Sequence, residues 1–233
     1  MNIDKRKKYY MVLDTETANT IVEEDGKLNM RFVLPYDIGY QVIDKSGNIY
    51  IKRSFVVDEI FNHEKDLMTS AYYANKIPQY LSDIASGNRI VASVYQIRKT
   101  ILEDMETYNT NIVMAHNARF DYTALNNVER WVTKSAYRYF FPYGTEWWDT
   151  LKMAHDTICQ QKAYKRFCEE NGYMTKHRTP RPRETAEVLY RYISCDNEFI
   201  EKHTGLEDVE IESQIFTKCM AQHKAMRKKL WED

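Results

Sequence analysis

Five residues in this chain carry groups that could do chemistry together. They are Asp14 and Glu16 in YYMVLDTETA, Asp121 in MAHNARFDYTAL, and His203 and Asp208 in HTGLEDVEIES. Four are carboxylates and one is an imidazole. Brought to a common centre, four carboxylates cannot all stay ionised without cations between them. Oxygen donors of this kind suit hard divalent metals. Two such metals beside a histidine base would make a site for phosphodiester hydrolysis.

The spacing within each island supports convergence. Asp14 and Glu16 close a buried run, and period-2 alternation puts both carboxylates on one face of a strand. Strand ends are where sites form in α/β folds. Asn117 and Asp121 are four apart, so a helix would place them on one face. Ala118 and Ala124 would let that helix approach the sheet, and Phe120 could pack beneath the site or against a base. His116 is open to two roles, metal ligand or neighbour of a bound nucleotide. Thr204 and Glu207 have capping-box spacing, which sets Asp208 in a first helical turn. The helix dipole there favours its ionised form. His203 falls just before the cap, on a loop. An ordinary imidazole pKa of ~6.5 suits a base working near neutrality.

Elements must hold these islands in place. Residues 8–14 read as a buried strand ending at Asp14, and 36–57 as a hairpin turning at KSGN. Residues 59–86 read as helical with a break at Pro78. Residues 93–109 carry Val94, Ile97, Ile101, Met105 and Tyr108 at helical spacing. A strand, NIVMAHN, leads into a helix over 119–133. YRYFFPYG reads as a strand before a helix opening near Asp149, which serves as its N-cap in EWWDT. Helices follow over 161–172 and 184–194, joined by a basic loop, and a last helix runs from Gly205 to Lys229. Strands first, then alternating elements, predict an α/β domain with a mixed sheet.

The chain has 233 residues, 43% hydrophobic, with only 7 Gly and 5 Pro. That supports one sizeable domain, 1–233, with no low-complexity tract. A helical, basic insertion is expected at about 161–202. Cys159, Cys168, Cys195 and Cys219 form no CxxC pair, so reduced thiols and a cytoplasmic location are expected. No apolar run approaches a membrane span, and no apolar signal core precedes the first strand. Net charge is −1 from 33 basic and 34 acidic residues, so a nucleic-acid partner would require segregated charge. Three basic groups stand out: Lys5–Lys8; Lys176, Arg178, Arg181 and Arg183 in TKHRTPRPR; and Lys224, Arg227, Lys228 and Lys229. Each reads equally as a contact surface or as an ordinary solvated run.

Taken together, the islands resemble the three motifs of the DnaQ-like, DEDD superfamily of 3′–5′ exonucleases, over residues 9 to about 216. LDTET resembles the first motif and AHNARFD the second, usually HNAxFD. HTGLEDVE resembles the third motif of the DEDDh subclass, in which His precedes the last Asp by five positions. The sister DEDDy subclass has Tyr four positions before that Asp, where this chain has Thr204. The stretch SAYYANKIPQY also resembles relatives carried by phages of low-GC bacteria. Two departures are visible: DTETANT replaces the usual DTETTG ahead of IVEEDGKLNMRF, and 161–202 is longer than in a minimal member.

The resemblance implies an RNase H-like fold, a mixed five-stranded sheet flanked by helices. It implies two Mg²⁺ (or Mn²⁺) ions held by Asp14, Glu16, Asp121 and Asp208, with His203 as general base. It places Thr15, Thr17, His116 and Asn117 beside the 3′-terminal nucleotide, joined by Phe120. The implied activity is hydrolysis at DNA or RNA 3′ ends, single-stranded ends favoured, releasing nucleoside 5′-monophosphates. The competing reading is a nucleic-acid-binding module or a polymerase-associated proofreading module of limited activity. A homodimer or a polymerase partner is compatible with either, and no membrane is involved.

Overall fold

The computed structural model describes residues 3–18, 29–71 and 73–232. Asn19 and Thr20 of DTETANT and most of IVEEDGKLNMRF therefore lie outside the described residues, as does Tyr72 of SAYYANKIPQY.

Alternating apolar residues build the strands β1 (Tyr9–Ala18), β2 (Leu34–Asp44) and β3 (Ile49–Val57), then β4 (Ile90–Ala92), β5 (Ile112–Ala115) and β6 (Glu146–Asp149). They form one mixed sheet in the order β4-β3-β2-β1-β5-β6. β2 runs antiparallel to both its neighbours, and the other pairings are parallel. This is the expected mixed sheet flanked by helices, with six strands rather than five. The added strand, β4, is three residues long and pairs only with β3.

Helices cover both faces. They are α1 (Asp58–Phe61), α2 (Lys65–Ser70), α3 (Ile77–Ala85), α4 (Val94–Thr107) and α5 (Arg119–Thr133), then α6 (Thr150–Asp156), α7 (Lys162–Glu170), α8 (Ala186–Ser194) and α9 (Gly205–Met220). On one face Tyr9, Met11 and Leu13 pack with Ile97, Ile101, Leu125 and Val128. On the other Tyr10 and Val12 pack with Met153, Leu189, Ile215 and Phe216. Burying each such side chain contributes about 1.5–3 kcal/mol, so both faces of β1 are pinned. Among the described residues no helix is long and apolar enough to cross a membrane.

The hairpin and the helix over 119–133 lie where the sequence predicts them. Other expectations are corrected. β1 does not stop at Asp14; it runs on to Ala18, paired with β2. The 59–86 region is three short helices and a 3₁₀ turn. Pro78 does not break a helix but sits in the first turn of α3, where its missing N–H costs nothing. The strand before α6 is EWWD, because Glu146–Asp149 can extend the sheet beside β5; YRYFFPYG is irregular. α9 ends at Met220, and the residues after it turn back so that Lys229 bridges Trp148 on the far edge.

Candidate active site

The site begins where β1 parts from β5. Their parallel pairing covers Met11 and Val12 only, whereas pairing with β2 continues through Ala18. From Asp14 onward one side of β1 is open. Asp14 and Glu16 lie on the same face, two residues apart. A register shift between Glu16 and Thr17 marks a bulge there, and bulges commonly re-aim side chains beside active sites.

Two helix N-termini close on this opening. Asp121 sits in the first turn of α5 and Asp208 in the first turn of α9. Asp121 is held by Thr15, whose backbone N–H (3.0 Å) and hydroxyl (2.8 Å) both donate to Oδ1. Asp208 is placed by close backbone packing. A Cβ on Gly39, opposite Asp14 on β2, would lie 2.3 Å from the Gly205 carbonyl carbon. A Cβ on Gly205 would lie 2.8 Å from the Gly39 nitrogen and 3.2 Å from the Asp14 oxygen. Only glycine at both positions lets α9 enter so near β1.

The cap of α9 differs from the expected capping box. Thr204 makes no side-chain bond to the helix backbone; its hydroxyl donates to the Glu207 carboxylate instead. Arg89 Nη2 holds that carboxylate at 3.0 Å, which draws it away from the capping position. The Gly205 N–H is satisfied by Asp37 Oδ2 on β2, at 2.9 Å. Asp37 also accepts from Tyr80 (2.6 Å) and Arg89 (3.0 Å), both buried. α9 is thus docked through a buried ion pair that its own sequence does not contain.

Asp14, Glu16, Asp121, Asp208 and His203 all line one cavity of about 960 Å³. His116, Asn117, Phe120 and Thr15 line it too; among the described lining residues Thr17, buried further along β1, is absent. Glu16, His203 and Asp208 each bring a ligand atom within 4.8 Å of the others. His203 and Asn117 adopt left-handed backbone, with φ of 51° and 62°, which costs energy for residues other than glycine. Asn117 therefore precedes α5 rather than sharing a helical face with Asp121. Its N–H donates to Asp149 Oδ1 at 3.0 Å, and the same oxygen accepts from Leu151 to cap α6.

Both ring nitrogens of His116 are engaged, Nδ1 with Thr150 Oγ1 (3.1 Å) and Nε2 with the Glu184 carbonyl (2.9 Å). A carbonyl only accepts, so Nε2 carries the proton. Burial holds this imidazole below its ordinary range. His116 is fixed within the wall of the cavity.

A further acid occupies the site. Glu212 lies one turn after Asp208 on α9 and lines the same cavity. It is 3% exposed. Oε1 accepts from the His116 N–H at 3.0 Å, while Oε2 is buried without a partner. Sequence reasoning passed over it because α9 carries several acids. The i,i+4 step from Asp208 was the signal that could have found it.

The electrostatics follow from this crowding. Burial, then the neighbouring carboxylates, pushes Asp14 and Glu212 well above the usual carboxylate range. Glu16 rises to about 9, by burial and then Asp208. Asp208 rises to about 8, by burial and then Glu201. Asp121 rises to about 7 through burial, against the pull of Thr15. Asp208 Oδ1 is also buried with no partner. Orphaned oxygens and mutually repelling acids, all hard donors, fit divalent cations.

His203 stands apart. Burial and then the Lys76 ammonium lower its pKa, so the ring is neutral near pH 7. Lys76 Nζ donates to the His203 carbonyl at 3.2 Å, and Tyr73 stacks on the ring at 4.8 Å between centroids. Glu201 lies 3.7 Å from Nδ1. Burial, and then Glu187, raises that carboxyl to about 7, and it is Glu187 that partly offsets Lys76 at the imidazole.

No family model matches the chain, and no curated protein matches it. Among solved structures, one described as exonuclease X in complex with 5′ overhanging duplex DNA aligns over 92% of this chain and 92% of its own. The identity is 15% and the TM-score 0.43.

Proposed function

We propose that this chain is a cation-dependent 3′–5′ exonuclease of the DEDDh kind. It would hydrolyse terminal phosphodiester bonds at DNA or RNA 3′ ends and release nucleoside 5′-monophosphates. One observation carries the reading: Asp14, Glu16, Asp121 and Asp208, far apart in sequence, line one cavity with a neutral His203. We read 1–233 as one exonuclease domain, with 161–202 as its helical and basic insertion, acting in a cytoplasm.

Asp14, Glu16, Asp121 and Asp208 would hold two Mg²⁺ or Mn²⁺ ions, with the unpartnered Glu212 oxygen beside them. Bound there, the ions would supply Lewis-acid polarisation of the phosphodiester and charge stabilisation at the leaving oxygen. The residues do the rest. His203 takes the proton of the attacking water at Nε2, because Nδ1 faces Glu201. The imidazolium so formed is stabilised by the Glu201 carboxylate. Thr15 keeps Asp121 aimed through two hydrogen bonds. Thr15, His116, Asn117 and Phe120, which line the cavity, would lie against the terminal nucleotide.

The test is 5′-labelled DNA and RNA oligonucleotides with Mg²⁺ or Mn²⁺, comparing wild type with Asp14→Ala. The expected result is stepwise 3′ shortening by the wild type, lost in the variant and with chelator. Equal shortening by both proteins would attribute the activity to a contaminant and sink the proposal.

A further inference from the structure

The basic loop between α7 and α8 is not consumed by the chemistry above, yet part of it faces the same cavity. His177, Arg181 and Arg183 line the cavity on whose floor the carboxylates sit. Both guanidinium groups are exposed, and among the described residues neither has a side-chain hydrogen bond or ion pair. Elsewhere Arg53, Arg89, Arg191 and Arg227 each grip a carboxylate. Arg181 and Arg183 sit beside a strongly acidic site without closing onto it.

The backbone explains why they stay apart. Residues 173–183 form a small strap rather than a free loop. Thr175 N donates to the Arg181 carbonyl at 2.8 Å and Arg183 N to the Tyr173 carbonyl at 2.9 Å. Arg181 N donates to Thr175 Oγ1 at 3.0 Å, and Met174 and Pro182 form a bridge. Pro180 and Pro182 stiffen the returning limb. The strap is anchored at its end: Tyr164 donates to the Arg183 carbonyl, and His116 Nε2 to the Glu184 carbonyl. The second anchor is a residue of the cavity wall itself.

We propose that this strap is a phosphate rail. Arg181 and Arg183 would bind backbone phosphates of the substrate strand on the 5′ side of the scissile bond. The inference rests on the exonuclease reading and assigns it a strand-holding surface. The carboxylates, holding cations, would leave the scissile phosphate to those ions; the next phosphates need a partner that is not a carboxylate. A guanidinium fork matches phosphate geometry and remains charged at any working pH. Such contacts position a strand without reading its sequence. The rail also gives a protein of net charge −1 the segregated positive surface that a polyanion requires.

The test is the salt dependence of binding, which needs no turnover. Fluorescent single-stranded DNA and RNA oligonucleotides are titrated with Asp14→Asn protein in Mg²⁺ over a range of salt. The comparison protein adds Arg181→Gln and Arg183→Gln. A control instead adds Lys176→Gln and Arg178→Gln, an equal charge change on strap residues that do not line the cavity. Each lost phosphate contact on a single strand lowers the slope of log K against log salt by about 0.7, so the double variant should lose about 1.4. The control should lose less than half of that, and each single Arg variant about half. An unchanged slope in the Arg double variant, or equal losses in the control, would overturn the rail while leaving the exonuclease reading standing. No strand binding by the Asp14→Asn protein would overturn both.

Discussion

Burial drives Glu212 and His203 in opposite directions, the acid upward and the imidazole downward, and leaves both neutral-leaning. Glu212 is a buried acid with one oxygen unsatisfied, so it needs a cation or a proton. Glu212→Gln keeps the acceptor for the His116 N–H and removes the charge. In chelator at pH 8 this variant should melt at a higher temperature than wild type, and Mn²⁺ titration calorimetry should show weaker binding. A lower melting point with unchanged Mn²⁺ affinity would make Glu212 merely structural. As the proposed base, His203 must be neutral to accept a proton, so activity should fall as pH drops through its pKa. Burial and Lys76 lower that pKa, so activity should persist below the ordinary imidazole value of ~6.5. His203→Ala should reduce kcat by about 10²–10⁴-fold, the usual worth of a positioned base, with little change in Mn²⁺ affinity. Steady-state rates against pH for both proteins check this. That the five groups converge was legible in the sequence, because each motif sets its acid or imidazole at a strand or helix end, and all five line one cavity. Glu212 was not, because an acid on a helix surface and an acid under it look alike in one dimension.

At the level of elements, α9 is positioned by a glycine pair and a buried ion pair rather than by its own cap. Gly39→Ala would force Cβ against the backbone of Gly205, at 2.3 Å. Backbone cannot swing away as a side chain can, so the loss of stability should reach or exceed the ~1–3 kcal/mol usual for overpacking. Urea unfolding measures it, and an unchanged midpoint would contradict the close approach. Arg89→Leu should cost about 3–5 kcal/mol, since it strands Asp37 in the core. The amphipathic α4 was readable from the spacing of Val94, Ile97, Ile101 and Met105, and the structure adds its Ser93 cap. β4, at three residues, carries too little pattern to be seen. EWWD was passed over for the more aromatic YRYFFPYG, because strand propensity cannot say which of two neighbouring runs meets β5. The overlong reading of α9 followed its helical composition past Met220, where tail contacts with Trp148 prevail.

The whole molecule carries the cost of its acidic centre in a predictable pH dependence. Unfolded carboxyls titrate near ~4, whereas folded Asp121, Asp208 and Glu16 titrate at about 7, 8 and 9. Between those limits the folded state binds more protons than the unfolded state. In chelator, the contribution of these acids to stability should therefore be full below pH ~4 and fall as pH rises towards 9. Saturating Mn²⁺ should reverse the fall, because a ligand of the folded state alone stabilises it. Calorimetric melts across pH, with and without Mn²⁺, check both signs. The architecture itself was legible as a mixed α/β sheet, since strands and helices alternate in the sequence. What it could not show is that β1 and β5 part at Asp14, which opens the cavity. Whether that cavity carries out the proposed hydrolysis is decided by the identity of the released product. Single-stranded DNA and RNA incubated with wild type or Asp208→Asn in Mg²⁺ can be analysed by mass spectrometry. Nucleoside 5′-monophosphates from the 3′ end are expected with wild type only. Internal fragments, nucleoside 3′-monophosphates, or no release on any strand would contradict it.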